Sequence, residues 1–256
     1  MSKKRKSPTT NIATHTDDAI FVRGRNLVDE LIGQVSFTEM IFLHLTGDTP
    51  TPAQTTILDA VLVTLMEHGM TPSVIAARLT YMAAPEALQG AIAAGLLGVG
   101  GQFIGTMEQA GVLIDEVREA GDDAAAVARA IVERHRTTRT PMPGFGHPLH
   151  RPDDPRSPKL LALAAALDVP GDHIAALRLL AQTVDEVHGR HITINATGAV
   201  AAVLGEAAVP PDVMRGIAVI SRAAGLVGHL REEQERPAGR ALWDAAAAAV
   251  PYDDEV

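Results

Sequence analysis

Residues 141–156 read Pro-Met-Pro-Gly144-Phe145-Gly146-His147-Pro-Leu-His150-Arg151-Pro-Asp-Asp154-Pro-Arg156. Pro141, Pro143, Pro148, Pro152 and Pro155 each remove an amide donor and fix φ, so no regular helix runs through the stretch. A stiffened loop of this length inside a compact domain is uncommon and usually functional. Gly144 and Gly146 admit a ligand close to the main chain. His147 supplies an imidazole. Arg151 and Arg156 supply planar guanidinium groups, which suit carboxylates and phosphates. By these residues alone the loop points to an anionic small molecule handled by His147; a solvated Pro-rich linker is the alternative.

On both sides of the loop the chain reads as helix after helix. Ser36-Phe-Thr-Glu39 is a capping box opening a helix over 37–45. Thr51-Pro52 and Thr71-Pro72 repeat one device, a Thr cap followed by Pro at the first helical position, and open helices over 53–67 and 73–83. Further helices fit 85–97, 106–120, 123–136, 158–167, 172–187, 198–206, 211–235 and 238–249. No convincing run of alternating strands occurs; 192–194 is the nearest. Residues 1–17 read as a flexible polar tail, and Trp243, the sole Trp, as a core anchor. The fold expected is all-α.

The chain has 256 residues, with aromatics at only 3%. Abundant Ala with few aromatics favours helices, because Ala loses no side-chain entropy there. The formal net charge of −9 excludes a general nucleic-acid binder, which needs a basic face. The basic start Lys3-Lys4-Arg5-Lys6 reads as a solvated tail. Without Cys there is no disulfide, thiol nucleophile or Cys-based metal site. No apolar run reaches the ~20 residues of a membrane span, so no membrane partner is expected and the location expected is cytoplasmic. His147-x-x-His150 and His188-x-x-His191 have ligand-like spacing, but prolines break the first and Gly189 ends the helix under the second. No metal is expected, and His150, His188, His191 and His229 read as structural or surface residues. The glycines of 95–101 lack a preceding strand and the phosphate-loop register, and read as a close-packed helix junction.

Gly-Phe-Gly-His147 followed by Asp154-Pro-Arg156 resembles the signature segment of the citrate synthase superfamily. The resemblance runs from about Val22 to Trp243. It is nearest to short bacterial citryl-CoA lyase-like proteins and to the lyase module of ATP-citrate lyase, where Glu67-His68-Gly69, the glycines of 95–100 and Phe103 to Glu108 have counterparts in the same order. It implies a citrate synthase-like helical fold with a large domain from 18–104 and 209–256 and a small one from 105–208, carrying a substrate and coenzyme loop at 139–157. Implied roles are His147 at the carbonyl or tertiary hydroxyl, Arg156 and Arg222 clamping carboxylates, and Arg236 donated across a homodimer. Arg151 would contact coenzyme A phosphates, and Gly144, Phe145 and Gly146 would lie along the coenzyme, which enters as a thioester substrate.

Two positions depart from the pattern. Phe103 stands where citrate synthases place an enolate-stabilising histidine; ATP-citrate lyase also has Phe there, with its working histidine in the segment resembling His68-Gly69. His68 is therefore the substitute expected. Asn195-Ala-Thr197-Gly198 stands where the family has Asn-Val-Asp-Gly, so Thr197 replaces the aspartate that moves the α-carbon proton, and Asn195 flanks the substrate. Loss of such a group typically costs ~10²–10⁴ in rate. The activity implied is a carbon–carbon lyase acting on citryl-CoA or a related 3-hydroxy-3-carboxyacyl-CoA, giving a 2-oxoacid and an acyl-CoA. A non-catalytic CoA-ester binder and a citrate synthase-like condensing enzyme stay open as alternatives.

Overall fold

A computed structural model describes residues 7–101 and 105–253. Phe103 and the basic residues 3–6 lie outside the described residues. The helices are α1 (Phe37–Thr46), α2 (Pro52–Met66), α3 (Pro72–Ala83), α4 (Leu88–Leu97), α5 (Thr106–Glu119), α6 (Ala124–Thr138), α7 (Arg156–Ala165), α8 (Asp172–His188), α9 (Ala196–Glu206), α10 (Pro211–Glu235) and α11 (Gly239–Ala249). The all-α expectation holds for the bulk of the chain.

The capping signals explain where most of these helices begin. Ser36 and Glu39 form a reciprocal box before α1, and Thr51 and Gln54 do the same before α2. The device fails at Thr71, whose hydroxyl makes no cap and is buried without a partner. Asn195 caps α9 by accepting from the Gly198 amide.

Two expectations are corrected. A small antiparallel sheet, β1 (Ala13–His15), β2 (Ile20–Val22) and β3 (Arg25–Asn26), occupies the N-terminal region. Its first strand lies within the stretch read as a flexible tail. Arg23 ties it down by bonding Asn11 Oδ1 and the carbonyl of His44. Trp243 is not a core residue: it is 56% exposed on α11, with Arg240 over its ring.

α9 is buried almost throughout, and α5, α7 and α8 pack around it. Its run Ala199-Val-Ala-Ala-Val-Leu204 presents small side chains on every face, so neighbouring helices approach closely without aromatic filling. This core is continuous with α1, α2 and the first half of α10. A second cluster joins α3, α4 and the later part of α10 through Val74, Ala77, Ala91, Leu226 and Leu230. There Gly95 is a packing glycine: a Cβ would stand 2.7 Å from Leu226 and 2.9 Å from the Ser73 carbonyl. Among the described residues α10 alone is long and apolar enough to cross a membrane; its Met214, Ile217, Ala218, Leu226 and Leu230 are buried within the molecule.

Candidate active site

The loop quoted first is held by a second stretch, residues 193–198. Gly146 N–H donates to the Thr193 carbonyl at 2.8 Å, Asn195 N–H to the Gly144 carbonyl at 3.0 Å, and Asn195 Nδ2 to the Gly146 carbonyl at 2.9 Å. Gly144 has φ +84°, and a Cβ there would stand 2.9 Å from Gly198 Cα. Two glycines thus meet where two backbones cross. Gly144 is needed for that crossing, and Phe145 packs against the main core.

Asp154 is fully buried. Its carboxylate accepts from Arg156 Nε at 2.9 Å, Arg156 Nη2 at 2.7 Å and the Ala196 amide at 3.0 Å. Burial alone would raise its pKa, but the bonds from Arg156 outweigh that and hold the carboxyl at about 2. The Asp-Pro-Arg motif therefore locks the loop to the start of α9 and aims the Arg156 guanidinium, whose Nη1 is not part of the pair.

His147 Nδ1 accepts from two backbone amides, Leu149 at 3.1 Å and His150 at 3.0 Å. An amide can only donate, so Nδ1 carries no proton and the neutral ring bears its hydrogen on Nε2. Burial followed by the nearby His150 pushes the His147 pKa down, which keeps the ring neutral near pH 7. His147 is thus built as a hydrogen-bond donor. That fits a role at a carbonyl or hydroxyl oxygen and leaves it unable to take a proton at Nε2 in this tautomer.

Two more imidazoles join it. His150 stacks on His147 with centroids 4.3 Å apart, and His68 stands edge-on to both at 6.0 and 5.9 Å. Reading His150 as a bystander missed this, although its place three residues after His147 in the same loop was a signal. Burial, then Arg156, His150 and Arg222, push the His68 pKa down, so its neutral form is favoured. The ligand nitrogens of the three rings lie within 4.8 Å of one another, a spacing that invites a metal. The committed Nδ1 of His147 argues against one, because Nε2 then presents a hydrogen rather than a lone pair.

Arg222 projects from α10. It is 5% exposed, and its Nε and Nη1 are buried without a hydrogen-bond partner. Burial lowers its pKa, yet a guanidinium stays charged at any ordinary pH. A buried cation with no counter-ion bonded to it among the described residues is costly.

The structure gives Thr197 a defined place. Asn195 Nδ2 donates to a carbonyl, so its Oδ1 must be the acceptor facing Thr197 and the Gly198 amide. Thr197 therefore donates to Asn195 Oδ1 at 2.7 Å and accepts from Thr106 at 2.9 Å. Its proton is committed, and a carboxylate here would face Oδ1 of a fixed amide. Arg151 is exposed, and so is Arg236 at the end of α10, where its guanidinium makes no ion pair among the described residues. A cavity of about 290 Å³ behind the loop is lined by Arg136, Arg139, Met142, Phe145, His188 and Ile192, among others.

A helical scaffold thus brings a buried arginine, an Asp-locked arginine and three imidazoles together around a Gly-Phe-Gly-His loop. The family "Citrate synthase, C-terminal domain" matches residues 22–242, and the chain belongs to the citrate synthase family. Among solved structures it is similar to citryl-CoA lyase from Hydrogenobacter thermophilus, at 31% identity and TM-score 0.79, covering 89% of this chain and 87% of that one. It also shares its fold with ATP citrate lyase from Methanothrix soehngenii in complex with citrate and coenzyme A, at 18% identity and TM-score 0.79, covering 100% of this chain and 43% of that one. A curated relative described as "Putative citrate synthase 2" from Mycobacterium tuberculosis is 30% identical over 80% of this chain and 54% of its own length. The chain spans about half the length of the curated relatives it matches.

Proposed function

We propose that the protein is a citryl-CoA lyase-like enzyme that cleaves citryl-CoA, or a related 3-hydroxy-3-carboxyacyl-CoA, to a 2-oxoacid and an acyl-CoA. The observation that carries this reading is Arg222: a buried, charged guanidinium with free donors, whose charge acts on His68 as that of Arg156 does, is a receptor for a substrate carboxylate. The likeness to a citryl-CoA lyase over nearly the whole of both chains supports it. Coenzyme A enters as part of the substrate. Arg151 and the basic, apolar cavity behind the loop suit its phosphates and adenine.

In this reading Arg222 and Arg156 hold carboxylates, and His147 Nε2–H bonds the tertiary oxygen throughout. Neutral His68 takes the hydroxyl proton. The C–C bond breaks, its electron pair passes into the thioester enolate, and the hydroxyl carbon becomes the carbonyl of the 2-oxoacid. His68 then returns its proton to the enolate carbon, so no carboxylate is needed at position 197. Two parts, from 18–104 with 209–256 and from 105–208, would close over the substrate, in a cytoplasmic homodimer whose Arg236 completes the neighbouring site. The committed proton of Thr197 favours one second reading, a CoA-ester binder without turnover.

The test is incubation with citryl-CoA and related thioesters, following 2-oxoacid and acyl-CoA by mass spectrometry. Turnover abolished by His147→Ala supports the lyase. Calorimetric binding without products supports the binder, and product formation only from acyl-CoA plus 2-oxoacid supports a condensing enzyme.

A further inference from the structure

Arg222, Gly225 and His229 stand at i, i+3 and i+7 on α10 and so share one face. Glu67, the residue before His68, lies across that face. Its Oε2 is 2.9 Å from His229 Nε2. Its Oε1 lies so near Gly225 that a Cβ there would stand 2.6 Å away, and the Met66 carbonyl is closer still. Glycine at 225 is what lets the Glu67 turn settle on the helix.

The direction of the hydrogen bonds is fixed by Arg78. Its Nη2 is 3.0 Å from His229 Nδ1. A guanidinium only donates, so Nδ1 accepts, Nε2 carries the proton, and His229 donates to Glu67. Arg78 is itself buried and anchored by ion pairs with Glu232 and with Glu233, the latter at 2.8 Å. Glu233 also accepts from the amides of Ala238 and Gly239. A rigid chain of donors thus runs from a buried ion pair to the carboxylate beside His68.

At the other end of the same face is Arg222, with two free donors. Glu67 acts on its charge without an ion pair to it. Position 222 is one helical turn from the Gly225 contact, and the Glu67 side chain is 47% exposed, with His229 as the hydrogen-bond partner of its carboxylate. Left alone, that carboxylate would be expected to swing onto the unpaired guanidinium.

We propose that the Arg78–His229 pair holds Glu67 away from Arg222 and so keeps Arg222 open for the carboxylate of the substrate. His229 is then a positioning residue, acting through Glu67. The proposal rests on the reading of Arg222 as a carboxylate receptor.

The experiment is calorimetric titration of the full chain with citrate. His229→Ala is expected to weaken citrate binding by about tenfold or more, because the released Glu67 closes on Arg222. The double variant His229→Ala/Glu67→Gln is expected to bind citrate within about threefold of wild type, since no carboxylate remains to compete. His229→Gln should also rescue, its amide oxygen accepting from Arg78 and its amide N–H donating to Glu67. Unchanged binding in His229→Ala, or a loss that persists in the double variant, overturns the proposal.

Imidazole ¹⁵N spectra of the wild type give a check independent of any variant's folding: the Nδ1–H tautomer at His229 would overturn it as well. Arg222→Met separates the two claims. If the wild type binds no citrate, or Arg222→Met binds it as well as wild type, the receptor reading fails and the proposal goes with it. If Arg222→Met loses citrate while His229→Ala keeps it, the restraint alone fails.

Discussion

Arg78 and Arg222 are both buried to within a few percent, and both meet α10, which carries one of them. Arg78 gives hydrogen bonds to Glu232, Glu233 and His229, leaving only its Nε unpaired. Arg222 leaves both Nε and Nη1 unpaired. Two equally buried arginines are therefore satisfied to very different extents. In the proposed function the distinction is whether the protein supplies the counter-charge or leaves that to a ligand.

Exchanging each arginine for a neutral residue of similar length breaks the comparison most sharply. Arg78→Met strands Glu233 in the interior, and loss of one partner of a buried pair typically costs ~3–5 kcal/mol; urea unfolding should show it. Arg222→Met removes a buried charge that no ion pair among the described residues neutralises, so its melting temperature without ligand should rise while citrate binding is lost. A fall in melting temperature as large as that of Arg78→Met would show that Arg222 has a structural partner after all.

Asp154 tests the middle of the range. Its folded pKa of about 2 lies below the ~3.9 of an unfolded aspartate. Its contribution to stability is thus complete above the unfolded value and is lost as pH falls from there toward about 2. Asp154→Asn should lower stability at pH 7 and flatten this acid limb in a pH series of melting curves.

The smallest effect is expected at His191, half exposed between Asp185 and Asp153. Asp185 and then Asp153 raise its pKa. Its stabilisation is therefore full below the ~6.5 of a free imidazole and disappears as pH rises through the elevated folded value. Exposed pairs are worth ~0–1 kcal/mol, so His191→Gln should change the melting point only slightly, and only on the acidic side.

The helices were legible because their ends carry local chemistry. Ser36 with Glu39, Thr51 with Pro52, and Pro72 act within a few residues of themselves. Strands β1–β3 were not legible, since two or three residues are too few to show a period, and what fixes them is a contact from Arg23 to α1. The candidate site residues His68, His147, Arg156 and Arg222 were visible as motif positions. Their states were not: the tautomer of His147, the isolation of Arg222 and the stacking of His150 depend on atoms distant in sequence. Gly144 showed the same limit. Its place in the loop was visible, but the neighbour it packs against is Gly198, 54 positions along the chain.

The bonds among Gly144, Gly146, Thr193, Asn195 and the Asp154 carboxylate have a consequence for how the molecule opens. Neither stretch can detach without the other, although α7 and α8 intervene in sequence. The amides of Gly146, Asn195 and Ala196 should therefore exchange with deuterium at one common opening free energy, as a single cooperative unit. Separate exchange rates would mean that the loop breathes without α9.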